Sequence, residues 1–440
     1  MIDETRARWA QGDVHYDGPS AFGNDWIHRY RLGNGLKVLV LVDRSAPIAT
    51  YHTWFSVGSR HERPGKTGLA HFFEHLMFGP TENHAAGEFD RRLEENGAES
   101  NAATWVDWTF YHESLPSDRL DLAIELEAER MAKLVLQEPQ VANEREVVAN
   151  ERRQRVEDDI EGAANELLYK TAFTTHPYRW PTIGWMEDIQ SYSPDDCAAF
   201  YRTYYAPNNA CVVVVGDVDE PSLIAKIHAA YSSIASSIVP PEDTEPEPAQ
   251  REDRDVSLTR PTATEKLLMA YHGPALGDVD HAVLTVLGEV LSGGRASRLH
   301  RRLVLQLEIA TDVRVWTSTF SDPGLFEVYA TARGEHTTAE LLQVIDEELA
   351  RVRSDVVTDD ELARAKARLE LSLLHSLDTV SGKAEQIGFY ETVLGEPAAA
   401  FRRLDAYRRT TAAEIRKAAR RHLTTRTIVR VLPDGTEEPS

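Results

Sequence analysis

The stretch ACVVVV at residues 210–215, which ends at Gly216 and Asp217, does most to decide the fold of this 440-residue chain. A short, wholly apolar run rich in β-branched residues and closed by turn residues is typical of a strand buried on both faces. Alternating apolar residues predict two neighbouring strands earlier in the chain, at Leu36–Val42 and Ala49–Val57. The remaining elements predicted for this half are helices at Gly68–Phe78, Ser117–Leu136, Val141–Leu168 and Pro221–Ser232, and β segments within Ala98–His112.

Residues 238–255, IVPPEDTEPEPAQREDRD, interrupt this pattern with four prolines, dense charge and almost no apolar residues. Such a composition predicts a linker between domains. Beyond it the order of elements resembles that of the first half, and the last strand, Arg426–Leu432, takes the place of ACVVVV. The other elements predicted there are strands at Lys266–Tyr271, Ala310–Thr317 and Leu325–Ala332, helices at Ala282–Leu291 and Arg295–Leu307, and three or four helices from His336 to Leu423.

These patterns predict an α+β fold with two similar domains, each a mostly antiparallel sheet packed with helices. The predicted boundaries are 1–237 for an N-terminal domain, 238–255 for the linker and 256–440 for a C-terminal domain. The length agrees with this division, because a chain of 440 residues exceeds what one ordinary core holds.

The composition, with 42% hydrophobic and 27% charged residues, is that of a globular protein and excludes fibrous and disordered classes. A net charge of −23 disfavours nucleic acid and anionic membrane surfaces as partners, because both are negatively charged. Two cysteines, Cys197 and Cys211, cannot build a disulfide framework. The sequence contains neither a secretory signal pattern nor a run of about 20 apolar residues, so we expect a cytoplasmic protein.

The predicted helix GLAHFFEHLMF, residues 68–78, contains His71, Glu74 and His75 in an HxxEH arrangement. At spacing i, i+3 and i+4 the three side chains leave one face of a helix. Two imidazoles can then hold one Zn²⁺, and the glutamate can act as general base toward a water beside it, as in inverted zincins. The alternative is three ordinary helix residues, but burying them in apolar surroundings without a partner would cost several kcal/mol. Those apolar neighbours are Leu69, Phe72, Phe73, Leu76, Met77 and Phe78.

Zinc requires a third protein ligand, and the motif supplies only two. The acidic segment NEREVVANERRQRVEDD, residues 143–159, contains several candidates. Glu144 and Glu151 are two helical turns apart and share a face, whereas Glu146, Glu157 and Asp158 lie on others. Spacing alone does not choose among them.

Five segments, in order, resemble the pitrilysin (M16) family of zinc metallopeptidases, in particular its short two-domain members related to mitochondrial processing peptidase. They are SVGSRHERPGKTGLAHFFEHLMF, NGAESNAATWVDWTFYHESLP, NEREVVANE, PTIGWMEDI and YYAPNNACVVVVGDVD. The resemblance implies one Zn²⁺ per chain, with Glu151 as third ligand and Glu144 in support of the site. It also implies that Asn101 and Ala102, continued by Ala103 and Thr104, bind the substrate backbone on an edge strand, which is β-augmentation.

The second half resembles the catalytically silent C-terminal domain of the family, most clearly at LSGGRASRLHRRLVLQLEIATDV, residues 291–313. Active members carry an arginine and a tyrosine seven residues apart in this region, and here Val304 and Thr311 take those positions. A two-residue shift would match Arg302 but would place Ile309 where tyrosine belongs. The resemblance therefore implies that a homologous subunit supplies the missing pair.

The sequence thus predicts a zinc-dependent endopeptidase that cleaves unfolded peptides in a clamshell chamber formed by two subunits. A heterodimer with a homologous subunit is the favoured assembly; in a homodimer, Arg298, Arg301 or Arg302 would act from a shifted register. Two other functions are considered: a non-catalytic subunit that binds peptides or organises a complex, and a metal-dependent hydrolase of non-peptide substrates. The intact HxxEH motif disfavours the first, and the edge strand at Asn101–Thr104 disfavours the second.

Overall fold

The computed structural model describes residues 13–242 and 244–434. The chain divides into two compact units. The first falls within residues 1–150, 181–243 and 375–401, and the second within 151–180, 244–374 and 402–440. The strands, in chain order, are β1 (Val14–Phe22), β2 (Asp25–Leu32), β3 (Lys37–Val42), β4 (Ile48–Phe55), β5 (Glu99–Thr104), β6 (Thr109–Pro116), β7 (Ala210–Gly216), β8 (Arg254–Arg260), β9 (Lys266–His272), β10 (Ala310–Thr317), β11 (Leu325–Ala332) and β12 (Arg426–Pro433).

Helices outnumber strands in both units. In chain order they are α1 (Leu69–Leu76), α2 (Glu88–Glu95), α3 (Leu120–Lys133), α4 (Glu138–Arg152), α5 (Ile160–Ala172), α6 (Met186–Gln190), α7 (Pro194–Tyr204), α8 (Glu220–Tyr231), α9 (Val279–Ser292), α10 (Thr338–Ser354), α11 (Asp359–Ser376), α12 (Val380–Leu394), α13 (Ala399–Arg409) and α14 (Ala412–His422). The chain also contains two π-helical turns, Arg153–Glu157 and His300–Gln306.

The first unit is built on a seven-stranded sheet in the order β1-β2-β3-β7-β4-β6-β5. β7 is parallel to β3 and antiparallel to β4, and all seven of its residues are buried. This confirms the prediction of a buried central strand at ACVVVV. One face of the sheet packs on the core that α1, α3 and α8 share, and α12 packs against β4 and β7 from the other face.

The second unit contains a five-stranded sheet in the order β10-β11-β9-β12-β8. β12 is parallel to β8 and antiparallel to β9, as β7 is to β3 and β4. The arrangement β5-β6-β4-β7-β3 of the first unit is thus repeated strand for strand in the second. The α+β class with two similar, mostly antiparallel sheets is confirmed, and so is the predicted equivalence of the last strand with ACVVVV.

Each unit takes one helix from the opposite half of the sequence. α5 packs against β9 and β12 of the second unit, whereas α12 packs against β4 and β7 of the first. The compact units are therefore not contiguous, unlike the predicted domains 1–237 and 256–440, and β8 begins within the predicted linker 238–255. Which sheet a helix covers depends on tertiary packing, and its local pattern of apolar residues does not specify it.

Several predicted helices differ in the structure. The predicted helix Val141–Leu168 is two helices, because α4 passes into the π-helical turn 153–157 and Asp159 then caps α5 by accepting from the Gly162 N–H at 2.6 Å. The predicted helix Arg295–Leu307 is largely a π-helical turn, His300–Gln306. Five helices, α10 to α14, occupy the region predicted to hold three or four. β1, β2, β8, α2, α6 and α7 have no counterpart among the predicted elements.

No helix in the described part of the chain combines the length and apolar character needed to cross a bilayer.

Candidate metal centre

The helix that carries the HxxEH motif is held at its first turn by Glu62. Gly68 precedes α1 with φ of 91°, in the left-handed region that favours glycine, and a Cβ there would lie 2.7 Å from the Cα of Gly184. The Glu62 carboxylate accepts from the N–H groups of Gly68 at 2.6 Å and Ala70 at 2.8 Å. It therefore satisfies two of the amides that a helix start leaves open. Burial raises the pKa of the Glu62 carboxyl well above its usual value, and the two backbone hydrogen bonds oppose that shift.

The two faces of α1 differ as the motif predicts. Phe72 and Phe73 are fully buried in the core of the first unit. His71 is buried, and Glu74 and His75 are partly exposed. The imidazole rings of His71 and His75 have centroids 4.9 Å apart. The apolar face thus fixes the helix while the three polar groups emerge one turn apart.

α4 brings a carboxylate to the two histidines. One ligand atom each from His71, His75 and Glu151 lies within 4.8 Å of the others, and this is the one such cluster in residues 13–242 and 244–434. The division between the compact units falls at residue 150, but α4 continues as a single helix to Arg152. Glu151 is therefore positioned by the same helix as Glu144. Its Oε1 also accepts from Nε of Arg155, in the π-helical turn, at 3.0 Å.

Glu144 contacts one of the two histidines directly. Its Oε1 lies 2.9 Å from Nδ1 of His75. When a carboxylate accepts a hydrogen bond from Nδ1 of an imidazole, the ring proton sits on Nδ1 and the lone pair that can bind a metal is that of Nε2. The structure thus brings Glu144 beside His75, in the arrangement by which carboxylates orient metal-binding imidazoles.

These residues fit a zinc ion. Two imidazole nitrogens and one carboxylate oxygen are a donor set that Zn²⁺ takes in catalytic sites, where the fourth position holds water or substrate. Three such groups converge here from two helices, and the Arg155 guanidinium contacts the carboxylate of Glu151. The donor chemistry therefore agrees with the predicted ligands His71, His75 and Glu151.

A cavity of about 410 Å³ adjoins this cluster. Glu74, His75 and Glu144 line it together with Gln140 and Asn143. The rest of its wall is mostly apolar, formed by Leu76, Phe78, Gly79, Pro80, Ala86 and Val135. Glu74 thus lines a cavity together with His75 and is not itself a member of the three-ligand cluster.

The predicted peptide-binding residues lie on β5, which ends the order of strands in the first sheet. Asn101 is exposed and pairs with His112 of β6, and the remaining pairs continue to Thr104 opposite Thr109. α1 packs against both β5 and β6. The structure therefore places Asn101, Ala102, Ala103 and Thr104 on an edge strand next to the helix that carries the motif.

The second half holds two of its three candidate arginines in ion pairs. Arg298 makes two hydrogen bonds to Glu361, at 2.7 and 2.8 Å. Arg302 pairs with Glu347 and Glu348 at 2.5 and 3.0 Å, whereas Arg301 is exposed. Thr311 is exposed on β10, and Val304 packs against the core of the second unit.

Two residues at this site were not predicted. Glu62 serves as a helix cap from six residues before the N-cap position, whereas the usual sequence signature places Ser, Thr, Asp or Asn at the N-cap itself. Arg155 reaches Glu151 through an (i, i+4) relation, which is a recognisable pattern of helix ion pairs. The contact of Arg155 with Glu151 could have been found from the spacing of the two residues, whereas the capping role of Glu62 could not.

Fold and site together define a class: two-sheet α+β proteins with an HxxEH helix beside a helix that bears glutamates. The profile of the insulinase family, peptidase family M16, matches residues 37–184, and that of the peptidase M16 inactive domain matches residues 191–369. The zinc protease PqqE of Helicobacter pylori is 32% identical over 358 residues, 80% of each chain. This chain belongs to the M16 peptidase family.

Other relatives agree with that assignment. The uncharacterised zinc protease YmxG of Bacillus subtilis is 27% identical and aligns over 84% of this chain and 89% of its own length. A probable mitochondrial-processing peptidase subunit beta of Arabidopsis thaliana is also 27% identical, over 85% of this chain and 72% of its own. The crystal structure of a protease from Helicobacter pylori superposes with a TM-score of 0.89 at 28% identity, covering 92% of this chain and 99% of that one.

Proposed function

We propose that this chain is a zinc-dependent endopeptidase that acts on unfolded peptides, with Zn²⁺ held by His71, His75 and Glu151. The observation that carries the proposal is the convergence of these ligand atoms within 4.8 Å, beside a cavity that Glu74 lines. The names of the relatives as zinc proteases support the same chemistry.

When bound, Zn²⁺ supplies a Lewis acid that lowers the pKa of a coordinated water to about 7 and polarises a carbonyl group. Glu74 accepts the proton of the attacking water and then donates it to the nitrogen of the departing amine. Glu144 holds the His75 ring in one orientation and one tautomer through the 2.9 Å contact to Nδ1.

The substrate backbone is held by β5, with Asn101, Ala102, Ala103 and Thr104 as the binding segment. An added strand requires an extended chain, which a folded protein does not offer, so the substrates are unfolded peptides. The chamber is a clamshell shared with a homologous M16 subunit. A heterodimer is favoured over a homodimer, because Val304 and Thr311 replace the arginine and tyrosine expected in active members and Arg298 and Arg302 already pair with glutamates.

The alternative function is a non-catalytic subunit that binds peptides or organises a complex. The replacement of the Arg and Tyr pair is the observation that favours it. Such a subunit would bind extended peptides along β5 but would show no hydrolysis under any condition.

Metal analysis combined with peptidase assays tests the proposal. We expect about one zinc per chain, and we expect His71→Ala, His75→Ala and Glu151→Ala each to remove most of it. Glu74→Gln should retain zinc but lose hydrolysis, because it removes the base and leaves the ligands. Glu146→Gln, an exposed glutamate on α4, is the matched control and should change neither property. Full zinc retention in Glu151→Ala would show that the third ligand is wrong and would make Glu144 the next candidate.

A further inference from the structure

The β5–β6 hairpin extends one residue pair beyond the two strands. The Trp105 N–H donates to the Trp108 carbonyl oxygen at 2.8 Å, so that Val106 and Asp107 alone form the connecting loop. Side chains alternate along a strand, which places Asn101, Ala103 and Trp105 on one face of this edge. Trp105 therefore continues the predicted peptide-binding segment at its C-terminal end.

Residues 59 and 60, in the segment that follows β4, hydrogen-bond to the backbone of this loop. Ser59 N–H donates to the Trp105 carbonyl oxygen at 3.1 Å, and Arg60 N–H donates to that of Val106 at 3.0 Å. The Arg60 guanidinium pairs with Asp107 at 3.1 Å, and both side chains are about 95% buried, with 4% and 5% exposed. These contacts hold the backbone of Trp105 in place before any ligand arrives.

The side chain of Trp105 is nevertheless open to solvent. It is 45% exposed, whereas on the same hairpin Trp108 and Phe110 pack with Trp54, whose ring stacks on Phe110 at 4.2 Å. In the part of the chain that the structure describes, no ring contact, hydrogen bond or ion pair involves the Trp105 indole. An exposed aromatic side chain on a fixed backbone thus lies at the end of a strand edge, on the same face as the small residue Ala103.

We propose that Trp105 is a specificity-determining residue that favours peptides with a bulky apolar side chain, aromatic or β-branched, docked beside the end of β5. This inference rests on the proposed binding of peptides along β5. Cross-strand pairs of an aromatic residue with an aromatic or β-branched partner are worth about 1.4- to fivefold in an equilibrium constant relative to pairs of small residues. An indole also attracts cations, but the neighbouring carboxylate of Asp107 is already neutralised by Arg60, so the site offers an apolar surface without spare negative charge.

Binding is measured without turnover in the Glu74→Gln protein, by fluorescence anisotropy of labelled nine-residue peptides. Three peptides share a background of alanine and serine and carry one central Phe, Gly or Arg. Each is titrated into Glu74→Gln alone and into the same protein with Trp105→Ala, Trp105→Phe or Trp26→Ala. Trp26, on β2, is 55% exposed and is separated from β5 by four strands, which makes it the matched control.

We expect the Phe peptide to bind about 1.4- to fivefold more tightly than the Gly peptide. Trp105→Ala should abolish this ratio, whereas Trp105→Phe and Trp26→Ala should keep it. An unchanged ratio in Trp105→Ala overturns the inference, and so does an Arg peptide that becomes the tightest ligand in a Trp105-dependent way.

Cleavage assays with the unmodified chain distinguish this inference from the proposed function. The homologous subunit is added where activity requires it. Cleavage of the Phe and Gly peptides with equal kcat/KM would reject the role of Trp105 and leave the endopeptidase intact. Absence of both binding and cleavage would reject both.

Discussion

Oε1 of Glu144 lies 2.9 Å from Nδ1 of His75, which joins a carboxylate on α4 to an imidazole on α1. The same helix α4 carries Glu151 two turns further on, at the ligand cluster. One helix therefore supplies both a group that would bind the metal and a group that orients another ligand. A shift of α4 along its axis would disturb both interactions together.

Glu144→Ala should weaken zinc binding about 10- to 100-fold without removing a ligand, because the His75 ring loses the acceptor that fixes its orientation. Glu144→Gln should have a smaller effect, since its amide oxygen still accepts from Nδ1 but carries no charge. Competition with a chelator measures the dissociation constants, and Glu146→Ala on the exposed side of α4 is the control. Equal affinity in wild type and Glu144→Ala would contradict the positioning role.

Glu62→Ala should destabilise the protein by about 1–3 kcal/mol for each of the two α1 amides left without its carboxylate. Because these amides begin the helix that carries His71 and His75, zinc affinity should fall as well. Urea denaturation measures the free energy of unfolding, and competition with a chelator measures the zinc affinity. Glu94→Ala, an exposed glutamate on α2, should alter neither. Wild-type stability in Glu62→Ala would show that the first turn of α1 does not depend on this cap.

Glu327 should make the stability of the second unit depend on pH. Its buried carboxylate accepts from Tyr169, Trp316 and Ser318 at 2.8, 3.0 and 3.3 Å. Burial raises the pKa of Glu327 to about 7, although these three hydrogen bonds lower it. A raised pKa means that the folded state favours the protonated form, so this contribution is complete below the unfolded pKa and is lost as pH rises through about 7.

Glu327→Gln removes that titration. When the pH is raised from 5 to 8, the free energy of unfolding of wild type should therefore fall by roughly 2–3 kcal/mol relative to that of Glu327→Gln. Urea midpoints at the two pH values provide the comparison, and Glu335→Gln, which is exposed, should parallel wild type at both. A constant difference between wild type and Glu327→Gln across this range would argue against the raised pKa.

The isolated chain should be a poor peptidase that gains activity with a homologous subunit bearing the arginine and tyrosine pair. Loss of one such transition-state contact typically costs about 10²- to 10³-fold in kcat, and neither Val304 nor Thr311 can replace it. Assays of the chain alone and with candidate subunits measure this gain. Robust turnover by a purified homodimer, lost in Arg301→Ala, would favour the homodimer instead, because Arg301 is the exposed one of the three candidate arginines.

Two of the three residues of the ligand cluster, His71 and His75, could be chosen from the sequence because the HxxEH motif is a local signal. The spacing of His71, Glu74 and His75 predicts that they share one face of a helix. The apolar run 210–215, which ends at turn residues, predicts the buried strand β7. Glu151 could not be separated from Glu144 by spacing, since both lie on one face of α4; the resemblance to a family chose it. The structure adds that Glu144 contacts His75 while Glu151 joins the cluster.

Features that depend on distant packing could not be predicted. α5 and α12 have ordinary helical patterns, and only the folded chain shows that each covers the sheet of the opposite half. Glu62 lies in an irregular segment where no periodicity applies, so its hydrogen bonds to Gly68 and Ala70 have no sequence signature. The break between α4 and α5 could not be predicted either. Asp159, which caps α5, lies in a segment rich in charged residues, where one more aspartate does not stand out as an N-cap.

Because α12 packs against β4, the N-terminal half of the chain cannot complete its own fold when it is expressed alone. Gly388 approaches Trp54 so closely that a Cβ would lie 2.0 Å from the indole nitrogen, and Glu391 pairs with Lys37 of β3 at 2.7 Å. A fragment encoding only residues 1–237 would carry the HxxEH helix and yet lack the helix that covers Trp54. Co-expression of the two halves as separate polypeptides would therefore be required for either to reach its native state, as in split-protein complementation.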